Sequence, residues 1–380
     1  MIPVFRPSMG QEEINALAEV IKSGWIGLGP KTKQFEKEFA KYIGVKYAVA
    51  LNSATAALHL AFKVLDIKDR EVITTPMTFI STNHAILYNN GIPVFTDIQK
   101  DTLNIDPKEI KKNITSKTKA MVVVHYGGHA CEMDKILKIA KDNNLYLIED
   151  AAHACGSEFK GKKLGSFGDL ACFSFHAVKN LATGDGGMIV TNNEQWYRRL
   201  EKLRWVGINK DTWSREEFQN ADSSRYSWYY DIEELGFKYH MNDINAALGL
   251  VQLKKLDKLN KKRRSLVEKY NKELGNLSWL ELPKELPYTK SACHNYVIKT
   301  NYRDELNDYL AQKNISTGVH YIPNNHYKMY KKFGQPTPVA EKVWTQLLTL
   351  PLYPDLSAKQ QDEVISAIKK FGKKFTTDNK

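Results

Sequence analysis

In the first half of the chain, short apolar runs alternate with amphipathic stretches. "KYAVALN" (46–52), "EVITTP" (71–76), "IPVFTDI" (92–98), "KAMVVVHY" (119–126) and "LYLIED" (145–150) are rich in β-branched and other apolar residues, and each predicts a strand. Between them, "SATAALHLAFKVL" (53–65) predicts a helix opened by a serine cap, and "FISTNHAILYNN" (79–90) a second. "PKEIKKNI" (107–114) starts a helix with proline in its first turn, and "EMDKILKIAKDNN" (132–144) has an amphipathic period. "DLACFSFH" (169–176) and "GGMIVTN" (186–192) predict two further strands. Apolar strands alternating with helices imply βαβ units, so the fold class is α/β, with a mostly parallel sheet covered on both faces.

After about residue 240 the pattern changes. Residues 241–274 form a single long amphipathic period, with Ile244, Leu248 and Val251 marking its apolar face. A strand at "CHNYVIKT" (293–300), a helix at "RDELNDYLAQKN" (303–314), a turn and strand at "ISTGVHYIP" (315–323) and a helix at "AKQQDEVISAIKKF" (358–371) follow. The expected organisation is a large α/β domain over 1–250 and a smaller C-terminal α+β domain over 251–380.

Composition narrows the setting. A chain of 380 residues, 42% hydrophobic, can bury a core of this size. No apolar run approaches the roughly 20 residues that span a bilayer, and the first residues lack the basic-then-apolar order of a secretory signal. Four cysteines make no disulfide framework, so a cytoplasmic location is expected. The net charge of +12 is scattered, with runs at "KKNITSKTK", "KKLDKLNKKRR" and "KKFGKKF". These read as solvated helix faces, with steering of an anionic small substrate as a second reading; neither nucleic acid nor membrane is an expected partner.

In open parallel sheets, ligands bind beyond the carboxyl ends of the strands. Those ends carry Ser53, Ala54 and Thr55; Met77, Thr78 and Phe79; His125 and Tyr126; Asp150 with His153; and Ser174 with His176 and Lys179. Small residues opening a helix favour an anion such as phosphate. A buried acid keeps a ring nitrogen protonated, an aromatic covers a flat ring, and a lysine condenses with an aldehyde. Together these describe pyridoxal 5′-phosphate (PLP). Each residue also has an ordinary reading: surface lysine, helix cap for Asp150, packed histidine, core phenylalanine. "ATGDGG" lacks the lysine and hydroxyl of a phosphate-binding P-loop and reads as a turn passing beneath the cofactor. The pairs His129/Cys131 and His153/Cys155 do not have zinc spacing, and no metal is expected.

Five longer signatures carry a resemblance. They are "SGWIGLGPKTKQFEKEFAKYIG", "NSATAALHLA", "LIEDAAHACGSEFKGKKLGSFGDLACFSFHAVKNLATGDGGMIVT", "GFKYHMNDINAALGLVQL" and "STGVHYIP". With them the chain resembles, over nearly its whole length, the DegT/StrS sugar aminotransferases of PLP fold type I. The resemblance implies a seven-stranded, mostly parallel sheet and a smaller C-terminal domain. It implies that Lys179 holds the cofactor and shuttles protons, that Asp150 pairs with the pyridinium nitrogen, and that His153 lies near the phenolic oxygen. Phe79 would cover the ring, and Ala54, Thr55 and Ser174 would hold the phosphate. Lys238, where the family often has asparagine, would reach the neighbouring subunit's cofactor in a homodimer with shared sites; His240 receives no role. Trp25, Gly29, His320 and Tyr321 would edge the substrate pocket. The implied reaction moves an amino group from L-glutamate to a nucleotide-linked keto sugar in amino-sugar and surface-polysaccharide biosynthesis. The favoured acceptor is a 4-keto-6-deoxyhexose nucleotide. A 3-keto acceptor and a non-catalytic regulator are the alternatives; a dehydratase-type relative would carry histidine in place of Lys179.

Overall fold

The computed structural model describes residues 1–209 and 230–373, so the end of the basic run "KKFGKKF" lies outside the described residues. Nine strands occupy the first half: β1 (Tyr47–Leu51), β2 (Glu71–Thr74), β3 (Ile92–Phe95), β4 (Thr118–Val124), β5 (Tyr146–Asp150), a small hairpin β6 (Glu158–Phe159) and β7 (Lys162–Lys163), β8 (Leu170–Ser174) and β9 (Gly187–Thr191). Seven of them form one sheet in the order β1-β9-β8-β5-β4-β2-β3. β3, β2, β4, β5 and β8 run parallel, and β9 is antiparallel to both its neighbours. The exception has a local cause. Between β8 and β9 the chain turns back on itself, Phe175 N–H donating to Gly186 C=O and Thr183 N–H to Phe175 C=O, with no crossover helix to make the strand parallel.

Seven helices accompany these strands: α1 (Gln11–Ser23), α2 (Pro30–Ile43), α3 (Ala54–Leu65), α4 (Ser81–Tyr88), α5 (Pro107–Asn113), α6 (Met133–Asp142) and α7 (Glu194–Leu203). Alternation along the strands divides the core. Met121, Val123 and Leu147 pack with Phe35, Phe39 and Phe173 on one face; Val122 and Ile148 pack with Leu58 and Phe62 of α3 on the other.

The long helix α8 (Asp243–Leu274) then leads to β10 (Thr289–Lys290), β11 (Tyr296–Lys299), α9 (Arg303–Gln312), α10 (Pro338–Val343), β12 (Leu347–Leu350) and α11 (Ala358–Gly372). β11 and β12 pair antiparallel over a third core that includes Tyr270, Leu306, Leu310, Val364 and Ile368. This is the smaller α+β layer expected from the pattern.

Three details differ from expectation. Ile244, Leu248 and Val251 are only half-buried; the face α8 buries carries Ala246, Ala247, Leu250, Leu253 and Leu256, and Gly249 admits the ring of Phe35. Leucines and small residues share the inward face, and the small ones, Ala246 and Gly249, let α2 with Phe35 approach closely. The segment 315–323 forms no strand: it touches Ile2 and Thr349 through single bridges at Ile315 and Gly318. A regular strand would send His320 and Tyr321 to opposite faces, whereas both line one cavity. Finally, the run 254–264 is not wholly solvated. Arg263 is buried and donates to the carbonyls of His294 and Leu352, and burial lowers its pKa to about 10.

One carboxylate joins the start of α8 to the start of α2. Buried Asp243 accepts hydrogen bonds from the N–H groups of Gly29, Lys31 and Thr32 and from the Thr32 hydroxyl, at 2.7–3.0 Å. These are the amides that a helix N-terminus cannot satisfy internally. Asp243→Ala should therefore destabilise the protein by about 3 kcal/mol, since several buried donors lose their acceptor. Urea unfolding measures this directly, and an unchanged midpoint would show that water replaces the carboxylate at no cost.

Candidate active site

The carboxyl ends of β1, β4, β5 and β8 open onto one cavity of about 370 Å³. Its walls include Ser53, Ala54, Thr55, Phe79, Asp150, His153, Ser174, Lys179, His320 and Tyr321. Ten residues from distant parts of the chain thus meet at one rim, as the topology of a parallel sheet requires.

Asp150 ends β5 between β4 and β8 and is almost wholly buried. Its carboxylate accepts from the Thr82 hydroxyl at 2.7 Å and from Ala152 N–H at 3.1 Å. Burial raises its pKa, more than these bonds and the charge of Lys179 lower it. Lys179 keeps part of its surface open to the cavity, yet the protein packed around its ammonium desolvates it. Burial pulls its pKa down to about 8, against the upward influence of Asp150. A poorly solvated acid and a poorly solvated amine in one cavity call for a ligand that brings the missing charge.

Helix α3 starts at the same rim. Ser53 caps it by accepting from Ala56 N–H at 3.1 Å, while the first-turn amides at Ala54 and Thr55 have no intrahelical carbonyl to meet. Gly187, opening β9, lies beneath: a Cβ there would stand 2.4 Å from the Ser53 carbonyl carbon and 2.6 Å from Ala54 N. The glycine turn is needed for this close approach. Phe79 stands exposed at the mouth, its ring centroid 6.2 Å from that of Tyr321.

His153 is held from two sides. Gly127 N–H donates to Nδ1 at 3.3 Å, so the ring proton resides on Nε2 and is donated to Tyr321 Oη at 3.0 Å. The Tyr321 hydroxyl proton is then left for a third partner. Burial first, then the charge of Lys179, holds the His153 pKa well below the ordinary histidine value, and His320 is pushed down to about 4 for the same reasons. The His320 ring Nδ1 lies 2.8 Å from the Thr349 hydroxyl.

Several cavity residues had no clear signal in the pattern. His294 stacks on His153 with centroids 4.4 Å apart, and Phe5 also stacks with His294, at 5.5 Å. Thr78, one of the strand-end residues expected at the rim, bonds Thr82, the partner of Asp150, at 2.8 Å. "CHNYVIKT" was legible only as a strand, and Phe5 lies in a segment without period. His125, at the end of β4, points away: its Nε2 bonds Glu149 at 3.0 Å inside the core. The Tyr126 hydroxyl donates to the His320 carbonyl.

Other expected site residues stand elsewhere. Trp25 and Gly29 do not line this cavity. Trp25 Nε1–H donates to Leu28 C=O, and Gly29 packs so tightly on that indole that a Cβ would overlap it. Lys238 is also outside it, with Nζ 3.2 Å from the Trp205 ring centroid. Among the described residues no group of three His, Cys, Asp or Glu side chains could hold a metal. His129 and Cys131 bond to Asn104, Ala130 and Val124 instead.

The donor set fits PLP: an amine for its aldehyde, an acid for its ring nitrogen, helix-end amides and Ser174 for its phosphate. Fold and site together define a PLP-binding enzyme of fold type I. The family model for the DegT/DnrJ/EryC1/StrS aminotransferases matches residues 7–369. The chain is 46% identical to the uncharacterized protein MJ1066 of Methanocaldococcus jannaschii, with 97% of each chain covered. It is 42% identical to the spore coat polysaccharide biosynthesis protein SpsC of Bacillus subtilis, covering 97% of this chain and 96% of that one. Among solved structures, Spr1654 of Streptococcus pneumoniae in its PMP form superposes with a TM-score of 0.92 at 31% identity, covering 98% of this chain and 100% of that one. The chain belongs to the DegT/DnrJ/EryC1/StrS aminotransferase family and is a PLP-dependent transaminase.

The depressed lysine pKa makes a testable statement. In enzyme stripped of cofactor, the rate at which Lys179 condenses with added PLP should rise through a midpoint near pH 8, because the neutral amine is the nucleophile. Asp150→Asn removes an anion that favours the ammonium, so the midpoint should fall further. Stopped-flow absorbance across pH reads both; a midpoint near that of ordinary lysine, about 10.4, contradicts the burial argument.

Proposed function

We propose that the enzyme moves an amino group from L-glutamate to a keto sugar carried on a nucleotide, within amino-sugar and surface-polysaccharide biosynthesis. The observation that carries the reading is the presence of Lys179 and Asp150 in one cavity, their pKa values shifted in opposite directions by burial. The polysaccharide role printed for SpsC supports the sugar half of it. The favoured acceptor is a 4-keto-6-deoxyhexose nucleotide, with a 3-keto sugar nucleotide as the alternative.

When bound, PLP supplies a cationic ring that accepts the electron pair released at the donor's α-carbon. Asp150 holds the ring N–H, and keeping that proton matters most when negative charge develops, so the acid acts on the transition state more than on binding. Lys179, neutral for part of the cycle, takes a proton at the α-carbon and returns it on the other side. Ala54, Thr55 and Ser174 would hold the cofactor's phosphate, Phe79 would cover its ring, and neutral His153 would lie near its phenolic oxygen. His320 and Tyr321 meet the substrate, Tyr321 with the hydroxyl proton that His153 leaves free.

The reading includes a cytoplasmic homodimer in which Lys238 serves the neighbouring site, with Trp25 and Gly29 on the loop that edges the pocket, and a division into domains at 1–250 and 251–380. Ile14 and Ile21 on α1 are 59% and 65% exposed, and α1 packs on α8, whose Ile244, Leu248 and Val251 are half-buried. That apolar surface suits a second copy of the chain.

Lys179→Ala should abolish turnover, measured as glutamate-dependent product mass over a panel of 3-keto and 4-keto sugar nucleotides. Sustained turnover by the variant would remove Lys179 from its role, and the substrate that reacts selects between the two acceptors. Mixing Lys179→Ala with Lys238→Ala subunits should restore activity that neither homodimer shows, since a hybrid contains one site with both lysines. Failure to restore it would take Lys238 out of the reading.

A further inference from the structure

His294 lines the active-site cavity and is 2% exposed. Its two ring nitrogens are not equivalent. Nδ1 lies 3.0 Å from Asn180 Oδ1, and a chain of buried amides decides which of the two carries the proton. The carbonyls of Cys155 and Ala292 can only accept. Asn260 gives Nδ2–H to Cys155 at 3.1 Å, so its Oδ1 is left for Asn180. Asn180 gives Nδ2–H to that oxygen and to Ala292 C=O, both at 2.8 Å. Asn180 Oδ1 can then only accept, so the neutral His294 ring carries its proton on Nδ1.

Nε2 is left as an acceptor with a free lone pair. It has no hydrogen-bond partner among the described residues and, unlike the amide atoms of neighbouring Asn295, it is not sealed off by protein. The surface that His294 keeps open belongs to the cavity it shares with Lys179, Asp150 and Tyr321. The ring is also fixed in place. It stacks with His153 and with Phe5, its backbone N–H donates to Gly127 C=O at 3.1 Å, and its C=O accepts from Arg263. Burial first, then the charges of His153 and Lys179, holds its pKa well below the ordinary histidine value, so Nε2 stays unprotonated. A fixed neutral acceptor repels the carboxylates of glutamate and suits a hydroxyl, which a sugar carries and glutamate does not.

We propose that His294 is a specificity-determining residue for the amino acceptor: its Nε2 accepts a hydrogen bond from a ring hydroxyl of the keto sugar, and the enzyme thereby favours sugars that keep this hydroxyl over their deoxy counterparts. The inference rests on the sugar acceptor proposed for the same cavity. A deoxy sugar leaves the lone pair buried and unmet, and a site built around a hydrogen bond discriminates strongly against a substrate that cannot make it.

The probes are dTDP- and UDP-linked 4-keto-6-deoxyglucose and 3-keto-6-deoxyglucose, each with the counterparts that lack one of the remaining ring hydroxyls. Glutamate alone should discharge the absorption band of the PLP-loaded enzyme and the keto sugar should restore it, which times the two halves of the reaction separately. For the sugar that reacts, restoration should slow by about tenfold or more when one particular hydroxyl is missing. His294→Asn puts an amide N–H where Nδ1–H stood, can keep the bond to Asn180, and leaves nothing at the Nε2 position. It should slow the full sugar by a similar factor and abolish the difference between full and deoxy sugar; His294→Gln, which carries an oxygen to the Nε2 position, should recover part of that difference. Rates indifferent to deoxygenation, or a full-to-deoxy ratio that survives His294→Asn, overturn the proposal and leave the sugar reading intact. Amination of none of the probes overturns the sugar reading, and this inference with it. If His294→Asn does not fold, nitrogen NMR of the unaltered enzyme with labelled histidine decides: the Nε2 resonance should move with the full sugar and not with the deoxy one, and a resonance that answers both alike, or neither, overturns the proposal.

Discussion

The active site depends on one buried amide, Asn180, the residue after Lys179. Its Nδ2 donates to Asn260 of α8 and to the Ala292 carbonyl, both at 2.8 Å, and its Oδ1 lies 3.0 Å from Nδ1 of His294. Asn260 also donates to the Cys155 carbonyl, two residues from His153. A single fully bonded side chain thus ties the lysine loop, the long helix and the C-terminal layer together. Buried amides of this kind are costly to leave half-satisfied, so they admit few alternative arrangements. The reactive lysine is placed by its neighbour, and the neighbour is placed by two segments far away in sequence.

Around that knot the protein has arranged desolvation. Lys179 and Asp150 are both denied water, which moves each toward its neutral form. His153, His294 and His320 surround the same lysine and are also held neutral by burial. The result is a site with little fixed charge of its own. Its donors match a cofactor that carries phosphate and a basic ring nitrogen. The stack Phe5–His294–His153–Tyr321 rests on the same neutrality, since a protonated ring within it would face Lys179.

Much of this was legible residue by residue. The apolar runs that predict β1 to β5, β8 and β9 are strands, and the helices between them lie where their caps and periods place them, because apolar spacing and capping are local properties. Lys179, Asp150, His153 and Ser174 were legible as residues at strand ends, and they meet at one rim. The inward face of α8 was not, because which side of a long helix is covered depends on where α1 and α2 pack against it. Nor was the break in 315–323, because its backbone follows a cavity that only exists once β4, β5 and the C-terminal layer are packed.

The chain by itself determined the alternation of strands and helices, the rim on which the chemistry lies, and the family. Those follow from local hydrophobic period, helix capping and residue identity. Only the tertiary structure decided that Lys179 would be desolvated and that His294 and Phe5 would join it. Solvation, stacking and hydrogen-bond satisfaction depend on which distant residues arrive, and no local stretch of sequence encodes that.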